Sequence, residues 1–73
     1  MREDQGSREA AIQAWRRAVQ LEPRNFDALY NLAVTLARED RAAARPYLEQ
    51  FLNTAPPARY AKDRADVARL LHR

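Results

Sequence analysis

Shifted by 33 residues against itself, the sequence overlays Arg8 on Arg41, Ala10 on Ala43, Ala11 on Ala44, Pro23 on Pro56, Ala28 on Ala61 and Val34 on Val67. Trp15 falls on Leu48 and Val19 on Leu52, so the large apolar positions keep the same register. The chain has 73 residues, room for about two copies of one short unit. A period of roughly 34 residues with two helices per unit belongs to stacked helix–turn–helix solenoids. In such a stack each unit leaves an apolar side that its neighbour buries.

The punctuation agrees with that reading. Breaks at Gly6–Ser7, Pro23–Asn25 and Thr54–Ala58 separate stretches whose apolar residues follow a helical period. Ala11, Ile12, Trp15, Ala18 and Val19 form one stripe of a first helix over Ser7–Glu22, with Ser7 as N-cap and Pro23 as stop. Phe26, Leu29, Tyr30, Leu32, Ala33 and Leu36 mark a second helix, with Asn25 as N-cap and Asp27 in the first turn, where negative charge is favoured. Ala44, Leu48, Phe51 and Leu52 mark a third. A fourth is expected over Ala58–Leu71, its less polar side made by Tyr60, Ala61, Ala65, Val67, Ala68 and Leu71. Pro46 falls within the third segment. It requires either a late start near Ala43–Arg45 or a kink, because Pro deep in a helix costs ~3 kcal/mol. The expected fold is all-α: an antiparallel helix–turn–helix solenoid of four helices over residues 7–73, after a flexible segment at 1–6.

Supply excludes most chemistry. A single Gly rules out phosphate-cradling Gly-rich loops, and the lack of Cys rules out disulfides, thiolate metal sites and a thiol nucleophile. His72 has no companion for a metal site or a catalytic triad. The pairs Asp63/Asp66 and Glu39/Asp40 lie among arginines and read as solvated ion pairs, since acid–base work needs a desolvated pocket. No catalytic residue, metal site or cofactor is therefore expected. Thirteen basic and ten acidic residues are interleaved, with no block of like charge. No apolar stretch is long enough to span a membrane, and the polar N-terminus lacks the apolar core of a signal peptide. A cytoplasmic location is the expectation.

The residue pattern resembles the tetratricopeptide repeat. Leu29-x2-Leu32-Ala33-x2-Leu36 is similar to that family's first-helix pattern. Ala44-x3-Leu48-x2-Phe51-x4-Pro56 and Ala11-x3-Trp15-x2-Ala18-x4-Pro23 are similar to its second-helix pattern. The resemblance implies a second helix, one complete repeat over Asn25–Ala55 and a terminal capping helix, with Gly6 closing the turn before the first of them. Two departures stand out: the complete repeat is one residue short between Leu36 and Ala44, and Arg45 occupies a place that is usually apolar. The resemblance also implies a peptide- or protein-binding groove lined by first helices. Its residues here would be Asp27, Tyr30, Asn31, Val34 and Arg38, with Arg64 from the last helix.

Three function classes follow. The first is a protein-interaction scaffold using that groove. The second is a structural end-piece or self-associating unit, in which Ala11, Ile12, Trp15, Ala18 and Val19 form an exposed patch that pairs two chains as a homodimer. The third is an arginine-rich nucleic-acid binder. It is disfavoured because Glu9, Glu22, Asp27, Glu49, Asp63 and Asp66 interrupt every basic face.

Overall fold

A computed structural model describes residues 3–72, with side chains from Gly6 onward. Four helices and no strand occur among the described residues: α1 (Glu3–Leu21), α2 (Phe26–Glu39), α3 (Arg41–Thr54) and α4 (Ala61–Leu71). Consecutive helices pack on one another, and α2 also touches α4. Helix α3 lies between α2 and α4, whereas α1 packs on α2 alone among the described helices.

The caps explain where α2 and α3 begin. Asn25 Oδ1 accepts from the Ala28 N–H at 3.2 Å, satisfying one free donor of the first turn. Asp40 closes α2, its N–H donating to the Leu36 carbonyl at 2.7 Å, and opens α3 by accepting from the Ala43 N–H at 3.2 Å. One extended residue (φ −149°, ψ 95°) is thus the whole connection between the two helices. This is where the repeat loses its residue.

Two expected boundaries are corrected, and of the two alternatives for α3 the late start is removed. Helix α1 begins at Glu3, so Ser7 is an interior residue and not its N-cap, and Gly6 is helical and closes no turn. Residues 3–6 are therefore helix; of the segment expected to be flexible, Met1 and Arg2 lie outside the described residues. Helix α3 does not start late: it runs from Arg41 through Pro46. Pro46 has no N–H for the Ala42 carbonyl, and both residues are exposed. Helix α4 begins at Ala61, three residues after Ala58. The Tyr60 ring turns inward onto Phe26 (centroids 5.5 Å) and Phe51 (5.9 Å), and its backbone is non-helical (φ −118°, ψ 34°). The preceding turn is closed by the Tyr60 N–H on the Pro56 carbonyl at 3.0 Å.

The core is the space where α2, α3 and α4 meet. Leu29, Leu32, Ala33, Ala44, Phe51 and Val67 have no exposed surface and Leu48 only 2%. Phe51 is its centre, edge-on to Phe26 and Tyr60 and tilted against Tyr30 at 5.7 Å. Ala61 and Ala65 of the expected apolar side of α4 are exposed; Val67 alone is fully buried there.

Candidate functional site

Helix α2 presents Tyr30, Val34 and Arg38 one turn apart, and α4 brings Asp66, Arg69 and Leu70 opposite them. Together they line an open cleft of about 330 Å³. Val34 and Leu70 supply its apolar wall. Arg38 and Arg69 lie toward the C-terminal ends of their helices, where cations complement the helix dipole. At the other end the Tyr30 hydroxyl donates to Asp66 Oδ2 at 3.3 Å. Arg69 Nη1 lies 3.9 Å from Asp66 Oδ1, so the cleft carries two guanidiniums and a carboxylate beside an aliphatic wall.

Tyr30 holds its proton above the usual tyrosine value of about 10. Burial is the main cause, followed by the charges of Asp66 and Asp63 and the hydrogen bond to Asp66. The unfolded chain releases this proton first, so stability is complete below about pH 10 and falls as pH rises through the folded value. In a Tyr47→Phe/Tyr60→Phe background, phenolate absorbance should therefore develop late. Adding Asp66→Asn should bring it part of the way back, because burial remains. A Tyr30 that ionises in the ordinary range would contradict its place against Asp66.

The other expected groove residues separate. Asp27 and Asn31 are exposed on α2 and do not line this cleft; Asp27 borders a second one beside Arg59 and Tyr60. Arg64 is not a groove cation. Its Nη1 donates to the carbonyls of Leu52 (2.6 Å) and Ala55 (2.9 Å), capping the free acceptors at the end of α3. The acidic pairs also find uses within the fold. Asp40 is a cap, Glu39 pairs with Arg8, and Asp66 meets Tyr30. Asp66, Arg69 and Leu70 are the site residues that the sequence did not yield. Their spacing of three and four along α4 was the available signal, masked by uncertainty over where that helix starts.

The α1 stripe is turned inward. Val19 is buried against the core, which corrects its expected exposure, and Ile12, Trp15 and Ala18 pack on the core while remaining half-exposed. The residue pairs related by the 33-residue shift differ here: Ala44 and Leu48 are buried, whereas Ala11 and Trp15 are half-buried. Helix α3 packs on both α2 and α4, whereas α1 packs on α2 alone among the described helices. No described helix is long and apolar enough to cross a membrane.

The family model for the TPR repeat matches residues 3–39, which span α1, its turn and α2. No curated protein and no solved structure matches the sequence.

Proposed function

We propose, for a chain that belongs to the tetratricopeptide repeat family and is in general terms a protein–protein interaction module, that it binds a partner segment in the α2–α4 cleft. The observation that carries this reading is the shared lining of Tyr30, Val34 and Arg38 with Asp66, Arg69 and Leu70. Its chemistry favours an extended segment with an aliphatic side chain between Val34 and Leu70. An adjoining carboxylate would meet Arg38 and Arg69, where guanidinium geometry suits a two-point contact. The repeat fold is non-catalytic, and binding without a reaction is part of the same proposal.

The test leaves Tyr30 in place, because its ring supports Phe51. A Val34→Gln/Arg38→Glu variant should keep its helicity and melting temperature. It should lose about tenfold in affinity, roughly 1.4 kcal/mol, for array peptides that pair Leu or Val with Asp or Glu. Equal binding by parent and variant would refute the cleft.

Self-association through α1 is a second part of the proposal, supported by the half-exposure of Ile12 and Trp15. Light scattering should give a dimer mass at micromolar concentration, and Trp15→Glu should return it to a monomer. Monomer mass throughout the concentration range would remove this part and leave the cleft untouched.

A further inference from the structure

The arginines of this chain divide into two groups. Arg8 and Arg45 pair with Glu39 and Glu49, Arg69 approaches Asp66, and Arg41 and Arg64 donate to backbone carbonyls. Arg16, Arg17, Arg24, Arg38 and Arg59 have no such partner among the described residues, and of these Arg16 and Arg17 are adjacent in the chain, on α1. Arg16 and Arg17 lie with Gln13, Gln20 and Leu21 along an open depression of about 680 Å³. Arg16 Nε is closed to solvent and has no hydrogen-bond partner among the described residues. The terminal nitrogens of a guanidinium offer a carboxylate a two-point contact. Leu21, at the end of the same face, is 77% exposed, more than any other large hydrophobic side chain described.

We propose that this outer face of α1 docks an acidic protein segment whose carboxylates meet Arg16 and Arg17 and whose apolar side chain covers Leu21. It is a surface separate from the α2–α4 cleft, on a helix that does not line it. Charge complementarity and the apolar end select the occupant. A nucleic acid needs a continuous basic track, and here Glu9 precedes Gln13 by one turn while Glu22 adjoins Leu21. The two glutamines suit the donors and acceptors of a peptide backbone.

The probe is a blocked fluorescent pentapeptide with four glutamates around a central leucine. It is titrated into the Val34→Gln/Arg38→Glu protein, so that the cleft does not contribute. Anisotropy should rise on binding, and the affinity should fall as salt screens the contact. Arg16→Gln/Arg17→Gln should weaken binding about tenfold with helicity unchanged, and Leu21→Ser by about threefold. Absence of binding, or equal binding by the arginine variant, would overturn the proposal. So would a thymidine dodecamer that binds more tightly than the peptide.

Discussion

Phe51→Ala is expected to remove about 3–5 kcal/mol of stability at 25 °C, a large share of what the chain has. Phe51 has no exposed surface and touches three other aromatic rings, Phe26, Tyr30 and Tyr60, which come from α2 and from the entry to α4. Truncating a buried Phe costs about 3–5 kcal/mol, from lost transfer energy and from the cavity left behind. A chain of this length has roughly 4–11 kcal/mol in total. The cavity would open beneath Tyr30, so any folded remainder should also lose the shape of the cleft. Leu48→Ala, at 2% exposure, belongs to the same core and should cost about 2–5 kcal/mol. Urea denaturation followed by circular dichroism measures both. A Phe51→Ala protein that unfolds within a few tenths of a kcal/mol of the parent would mean that the three rings do not close on Phe51.

The dependence of the cleft on Phe51 shows which parts of the molecule were legible in advance. Helices α2 and α3 carry their own signals: a capping Asn25, an apolar stripe with period 3.6, and a small Ala44 opposite large leucines. The ends of α1 and α4 are decided elsewhere. Gly6 reads as a break because glycine disfavours a helix interior by about 1 kcal/mol, yet a long, regularly periodic helix carries it. Tyr60 reads as a helical residue, but packing its ring on Phe26 and Phe51 takes its backbone out of the helix. That contact connects residues far apart in sequence, and no local pattern announces it.

The same contact decided which half of the site could be read. On α2 the N-cap fixes the register, so Tyr30, Val34 and Arg38 fall on one face and line one cleft. On α4 the register depends on the turn from Ala55 to Tyr60. The family resemblance places Arg64 in the groove. In the fold, the carbonyls left free at the end of α3 take its guanidinium, and the groove face of α4 passes to Asp66, Arg69 and Leu70. A charged side chain of that length serves whichever unsatisfied group lies within reach, which sequence spacing does not reveal.

Pro46→Ala should stabilise the protein by about 2–3 kcal/mol, the largest gain available from one exposed position. Pro46 is the sixth residue of α3, past the first turn, where a missing N–H would carry no penalty. Its ring also crowds the carbonyl four residues back, and alanine both removes that clash and restores the bond to the Ala42 carbonyl. The side chain is exposed, so the substitution removes no core contact. For a domain of this size each kcal/mol moves the melting temperature by roughly 4–8 °C, so the shift should be about 10 °C or more. Because α3 carries Leu48 and Phe51, a firmer α3 should slow amide exchange through residues 47–54 as well. The competing arrangement, a helix that begins after Pro46, makes the opposite prediction. Proline is tolerated at a first helical position, alanine would gain little there, and the melting temperature would stay within a few degrees of the parent.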